Sequence, residues 1–321
     1  MQITSIYQPI EKDMLKVEEY LKDVKEVDLP CVAELLNHVL TKGGKRIRPA
    51  LTLLAGKFYD YNLELLVPAA AAVELLHTAT LVHDDVIDKS PERRGKPTIN
   101  CLWGDSHAVL FGDYLFSTTS HLVSTTENIR VIDLFARTLM TISGAELEQA
   151  SRAFNLSETR EQYYQLIAGK TACLFSTATQ SGAILSQAPE KMVEKLKDYG
   201  YNLGMAFQIV DDILDFIGQD REMGKPVGND LSQGTLTLPA ILFLEKHPVE
   251  NPIEKIFHGK KDDVYLKLAI EMICNSPIIE ECYSIANSFC SRACDAIEGL
   301  PQNPARSSLI ELTDYIIQRK K

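Results

Sequence analysis

Residues 193–216 read VEKLKDYGYNLGMAFQIVDDILDF, and this stretch decides the fold. Its apolar residues, among them Val193, Leu196, Leu203, Phe207, Val210 and Leu214, recur three, four and seven apart, the spacing that lines one face of an α-helix. The same period runs through VAELLNHVL (32–40) and VIDLFARTLMTISGAELEQA (131–150), while alternating stretches of strand type are scarce. The chain therefore reads as all-α. Glycine and proline interrupt the pattern at GGKRIRP (43–49), KSPERRGKP (89–97), SQAPE (186–190) and GQDREMGKPVGND (218–230), which are expected as loops between helices. In the first of these, Pro49 suits the N1 position of the helix that follows. No low-complexity linker divides the chain, so a single domain over 1–321 is expected.

Composition excludes some functions. The 33 basic and 44 acidic residues leave a net charge of -11, which argues against a nucleic-acid binder that works by neutralising phosphates. Seven cysteines without a CxxC pair or a secretory signal point to reduced thiols in a cytoplasmic protein. Cys274, Cys282, Cys290 and Cys294 lack nearby histidines and are expected as small buried hydrophobes. The most apolar run, Leu66 to Val82, spans 17 residues and carries Glu74 and His77, too short and too polar to cross a bilayer, so membrane contact is peripheral at most.

The opening stretch ends in VDDILD, and 127 residues earlier LVHDDVID repeats its pattern of Asp-Asp-x-x-Asp. On a helix, Asp84, Asp85 and Asp88 share one face, as do Asp211, Asp212 and Asp215. Clustered carboxylates repel unless a cation joins them. Neither segment has the glycine turn and closing glutamate of an EF-hand, nor the histidines that zinc or non-haem iron favours. All-oxygen donors favour Mg²⁺, which is commonly held by one or two carboxylates plus substrate phosphates, so two such clusters suit a metal-bridged diphosphate. Basic residues supply the complement: Lys45, Arg46 and Arg48 within GGKRIRP, and Arg93 with Arg94 after the first triplet, where planar guanidinium forks match phosphate oxygens.

Together, GGKRIRP, ELLHTATLVHDDVIDKSPERRGKPT, FGDYLF (111–116), GKTACLF (169–175), GMAFQIVDDILDF and GKPVGNDL (224–231) resemble the trans-isoprenyl diphosphate synthases, or polyprenyl synthetases, over nearly the whole chain. The resemblance implies an isoprenoid synthase fold, a helical bundle around a central cavity. It also implies a homodimer and two or three Mg²⁺ per active site. Asp84, Asp85 and Asp88 would ligate magnesium on one side and Asp211, Asp212 and Asp215 on the other. Lys45, Arg48, His77 and Arg94 would bind isopentenyl diphosphate. Arg93, Lys170 and Lys225 would contact the allylic diphosphate, with Thr171 and Gln208 beside the reacting carbon, and Asp230 would help organise the second triplet. One departure stands out: Thr235 occupies the place of a lysine that the family usually carries before its TLP-like helix start.

The reaction so implied is ionisation of the allylic diphosphate, attack by the double bond of isopentenyl diphosphate, and loss of a proton to the released diphosphate. Water must be excluded, and the 218–230 loop is expected to close the site. Product length follows from the residues upstream of Asp84, because a growing tail would run along the helix past Thr80, Ala79, Leu76 and Val73. Thr80 and Ala79 are small where a short-chain member would place an aromatic blocker, so a product longer than geranylgeranyl is expected, of the kind used for quinone side chains. The competing readings are a short-chain farnesyl or geranylgeranyl synthase and a non-catalytic subunit of a two-component synthase. The second would have no reason to keep six clustered carboxylates.

Overall fold

The computed structural model describes residues 3–40, 44–93, 95–218, 227–249, 251–259 and 263–319. It is all-α as expected. In chain order the helices are α1 (Ile3–Ile6), α2 (Glu11–Asp23), α3 (Pro30–Leu40), α4 (Ile47–Gly56), α5 (Leu63–Ile87), α6 (Ile99–Trp103), α7 (Asp105–Ser124), α8 (Ile129–Ser151), α9 (Arg160–Ile167), α10 (Cys173–Leu185) and α11 (Glu190–Ile217). They continue with α12 (Asn229–Ser232), α13 (Leu238–Lys246), α14 (Pro252–Phe257), α15 (Asp263–Cys274), α16 (Ile278–Ala296) and α17 (Pro304–Gln318). Close internal packing divides the chain into two units. The first comprises residues 1–139, 174–200 and 294–312, and the second 140–173, 201–293 and 313–321.

Within the first unit, α5 is the core element. Residues 66–76 are buried without a break, as a helix apolar on every side must be. Burial of each leucine or valine there contributes about 1.5–3 kcal/mol. The helix starts where the Asn62 side chain accepts the Glu64 backbone N–H at 3.0 Å. Pro68 lies in its second turn and cannot donate to the Glu64 carbonyl, but Glu64 is exposed, so water can serve that oxygen. Helix α7 packs along α5 at Gly112, where an added Cβ would stand 2.1 Å from His83 Nε2. Among the described residues α5 is the one helix long and apolar enough to cross a membrane, yet 72% of its most apolar window is buried inside the protein.

Two expectations change. The 89–97 segment is not plain loop: Glu92–Arg93 and Lys96–Pro97 pair antiparallel as a minimal hairpin, turned through Gly95 at φ +73°. Pro49 is not at N1 either, because α4 begins two residues earlier at Ile47. A proline is tolerated anywhere in a helix's first turn, since those N–H groups have no intrahelical acceptor.

In the second unit, α9 opens with a capping box, Thr159 accepting from the Gln162 backbone while Gln162 accepts from that of Thr159. Residues Ala168–Ala172 then form a π-turn that joins α9 to α10, with the Cys173 N–H bonded to the carbonyl of Ala168, five residues back. Periodicity gives no warning of it, because the apolar spacing of the flanking helices persists on both sides.

Candidate active site

In the first unit, the end of α5 carries the first triplet. Asp85 is buried, and its Oδ1 accepts from Arg93 Nε at 2.7 Å, so the hairpin's arginine neutralises a carboxylate at the negative end of the helix dipole. Asp84 is half-buried and Asp88, the C-cap, is exposed. The hairpin is anchored to this end: Ser90 N–H donates to the Asp85 carbonyl at 2.9 Å, and the Thr98 hydroxyl donates to the Ser90 carbonyl at 2.7 Å. Arg94 lies outside the described residues.

The GGKRIRP loop splits its basic residues. Lys45 and Arg48 are half-buried, and Arg48 stacks its guanidinium 4.7 Å over the Phe175 ring. Arg46, grouped with them by sequence, turns inward instead. It adopts the left-handed conformation at φ 51°, is 9% exposed, and donates to Glu74 Oε1 and Glu18 Oε1 at 2.6 Å each. Burial works against its charge, but the two glutamates more than restore it and leave its pKa raised. Tyr7 adds a clamp, its hydroxyl donating to the Lys45 carbonyl at 2.8 Å. Arg46 is thus a staple that shapes the loop, and it explains why Glu74 sits in so apolar a helix. His77 lines a recess with Arg46, Glu74, Asp85, Arg93 and Lys96. Leu76 and Ala79 are fully buried, and the Thr80 hydroxyl is bonded to the His77 carbonyl at 2.8 Å.

In the second unit, the π-turn presents Lys170 and Thr171. π-turns are rare and gather at functional sites. Gly169 lets the turn approach α8, since a Cβ there would meet that of Ala145 at 2.9 Å. Lys170 Nζ binds Glu146 at 2.8 Å and Gln149 Oε1 at 2.9 Å, two residues one turn apart on α8 that the sequence reading missed. Gln149 Nε2 also reaches Thr235 Oγ1 at 3.5 Å, at the very position where a lysine was expected. Thr235 N–H donates to the Asp230 carbonyl at 2.9 Å. Lys225 lies outside the described residues, as does most of the 218–230 loop.

The second triplet occupies the last two turns of α11. Asp211 has a half-exposed side chain, and Arg319 Nη2 stands 3.2 Å from its Oδ1. Arg319, also missed, is stacked 3.8 Å over the Phe207 ring and donates to the Phe207 carbonyl at 2.5 Å. Burial lowers its pKa while Asp211 raises it, with burial prevailing. Asp215 is buried. Asp212 is 3% exposed, and the protein engages both its oxygens: Oδ2 accepts from the Tyr163 hydroxyl at 2.5 Å and Oδ1 from Gln208 Nε2 at 2.8 Å. Burial, with Asp230 adding, pushes its carboxyl well above the usual range, and the two hydrogen bonds oppose that shift. Thr171 Oγ1 donates to Gln208 Oε1 at 2.7 Å, so two residues expected beside the reacting carbon do meet.

The donor set suits magnesium. Every candidate ligand is a hard carboxylate oxygen, and among the described residues no three His, Cys, Asp or Glu side chains converge as a ready-made metal site. Hard oxygen donors of this kind suit Mg²⁺ whose remaining positions are filled by substrate phosphate oxygens.

The polyprenyl synthetase family model matches residues 30–273. The chain is 37% identical to heptaprenyl diphosphate synthase component 2 of Geobacillus stearothermophilus, over 99% of both chains. Among solved structures, it is similar to a decaprenyl diphosphate synthase from Rhodobacter capsulatus, at 37% identity, TM-score 0.92 and coverage of 100% of both chains. It is also similar to a polyprenyl synthase from Caulobacter crescentus complexed with calcium and isoprenyl diphosphate, at 33% identity and TM-score 0.95, over 100% of this chain and 98% of the other.

Proposed function

This chain belongs to the polyprenyl synthetase family and is a trans-prenyltransferase with the isoprenoid synthase fold, and from that premise we propose the finer reading. It condenses isopentenyl diphosphate head-to-tail with an allylic diphosphate, using Mg²⁺, to give an all-trans polyprenyl diphosphate longer than geranylgeranyl and suited to quinone side chains. The observation that carries this is the pair of Asp-Asp-x-x-Asp triplets, each with its middle aspartate anchored by the protein and its first less buried. Metal held there would neutralise the diphosphate as it leaves. Arg93 and Lys170 add positive charge to the allylic diphosphate, with Lys225 as the third cation. Lys45, Arg48, His77 and Arg94 hold the isopentenyl diphosphate. Glu74 and Arg46 keep Lys45 and Arg48 in place. Thr171 and Gln208 border the carbon that becomes positive. The released diphosphate takes the final proton.

Long product is supported by the small residues at 79 and 80, and by the long-chain names of the relatives. Product chromatography with labelled isopentenyl diphosphate and dimethylallyl, geranyl, farnesyl and geranylgeranyl primers tests it; products stopping at farnesyl would overturn it. Ala79→Phe should shorten the product by one or more isoprene units, read on the same chromatogram.

Assembly has two readings. The exposed Leu102, Val109, Leu110 and Ile129 of the first unit suit a partner surface, and we read it as joining two copies in a cytoplasmic homodimer. The relative from Geobacillus is named as one component of a synthase, which favours a second, dissimilar subunit instead. A magnesium-dependent assay of the purified chain alone, with its mass in solution, separates the two.

A further inference from the structure

Hydroxyls on the helices of this protein often turn back on their own helix: Thr78 donates to the Glu74 carbonyl, Thr118 to that of Tyr114 and Thr119 to that of Leu115. Thr171 does not. Its proton goes sideways to Gln208 Oε1 at 2.7 Å, Gln208 Nε2 goes on to Asp212 Oδ1 at 2.8 Å, and the Tyr163 hydroxyl closes on Asp212 Oδ2 at 2.5 Å. Tyr163 and Asp212 are 1% and 3% exposed, so the inner half of this chain of hydrogen bonds is shielded from water. In such a place each bond strengthens the orientation of the next.

The chain has a direction. A carboxamide has one donor end and one acceptor end, and the donor end of Gln208 faces Asp212, whose Oδ1 accepts from Nε2. The carboxyl group therefore claims the NH₂ of Gln208 and leaves its carbonyl for Thr171, which must donate. The remaining lone pairs of the Thr171 oxygen then face away from Gln208. With the amide turned over, Thr171 would accept from the NH₂ and aim its own proton outward, toward any positive charge nearby.

We propose that Tyr163 and Asp212 are positioning residues that lock the polarity of the Gln208 carboxamide and so turn the Thr171 oxygen, lone pairs outward, toward the cation that develops on the allylic carbon. This rests on the prenyl-transfer reading above, in which Thr171 borders that carbon. It gives Asp212 a task other than metal ligation and leaves that role in the second triplet to Asp211 and Asp215. A dipole fixed before the reaction needs no reorganisation as charge appears, which is how preorganised groups lower a barrier.

The test is a double-mutant cycle on the single-turnover rate with farnesyl diphosphate, isopentenyl diphosphate and Mg²⁺. Thr171→Val should slow the reaction about 30-fold and Tyr163→Phe about tenfold, from one charge-oriented hydrogen bond each. The double variant should be no slower than Thr171→Val alone, because both changes break one chain. Binding of an unreactive allylic thiolodiphosphate with Mg²⁺ should stay within about twofold, which a loss of the metal site would not allow. Multiplied losses in the double variant, a full rate in Tyr163→Phe, or analogue binding that falls as far as the rate would each overturn the proposal. Should Tyr163→Phe fail to fold, Asp212→Asn replaces it in the cycle: it keeps the volume but swaps one of the two acceptor oxygens for a donor NH₂, so the pair of acceptors that Tyr163 and Gln208 now share is lost. A wild-type enzyme that makes no product would sink the prenyl-transfer reading itself, whereas an active wild type with independent losses sinks only this inference.

Discussion

The two acidic triplets share one sequence pattern and are built differently. In the first, the middle aspartate, Asp85, is neutralised by a charged partner, Arg93, supplied by a hairpin eight residues away. In the second, the middle aspartate, Asp212, is held by neutral donors, and the arginine, Arg319, serves the first aspartate from far along the chain. Both triplets sit at the negative end of a helix dipole, where carboxylates are least welcome, so each needs compensation. The first solves this locally, with an arginine from the adjoining hairpin. The second solves it with buried, directional bonds that fix geometry. On the function proposed above, identical patterns would divide the labour: outer aspartates for the cation, middle aspartates for the framework.

The largest effects should come from the outer positions. Asp84→Asn and Asp211→Asn are each expected to lower kcat about a thousandfold, the several kcal/mol that a bound metal contributes to a developing charge. Equal activity in either variant would end the division. Asp85→Asn should act through Arg93, raising KM for the allylic diphosphate about tenfold with a smaller change in kcat, since one charge-assisted bond is lost. A loss as deep as that of Asp84→Asn would make the middle residue a ligand after all. Thr235→Lys restores a cation beside Gln149 and Lys170, and KM for the allylic primer should fall about two- to fivefold, the scale of a partly exposed charge contact. Arg319→Met gives the subtlest readout. It leaves Asp211 without its counter-charge, so Mg²⁺ should raise the melting temperature about 1–2 °C more in the variant than in the wild type, followed by calorimetry with and without chelator.

Much of this was legible because helices announce themselves by period and carboxylate clusters by repulsion. The stretch 193–216 lies wholly inside α11, and both triplets fall at helix ends as read, with Asp88 as the C-cap of α5. What escaped shares one physical trait: it depends on partners distant in sequence. Tyr163 meets Asp212 across 49 residues and Arg319 meets Phe207 across 112. Arg46 looked like one more phosphate ligand, and nothing in GGKRIRP says that it faces inward. A signal did exist in Glu74, since a carboxylate amid alanines and leucines must find a cation. The π-turn was invisible for another reason, because AGKTA holds no residue that an ordinary helix excludes and nothing that marks an extra one.

That π-turn has a meaning in terms of insertions and deletions. It packs one residue more into the α9–α10 run than a regular helix of the same rise would hold. Removing Ala172 would let the run close into an unbroken α-helix with both flanks in phase, easing the backbone while swinging Lys170 and Thr171 by up to about 100°, one residue's rotation. The place where this chain could most easily lose a residue and keep its fold is thus the place where losing one would leave a well-folded protein with its ammonium and hydroxyl aimed elsewhere.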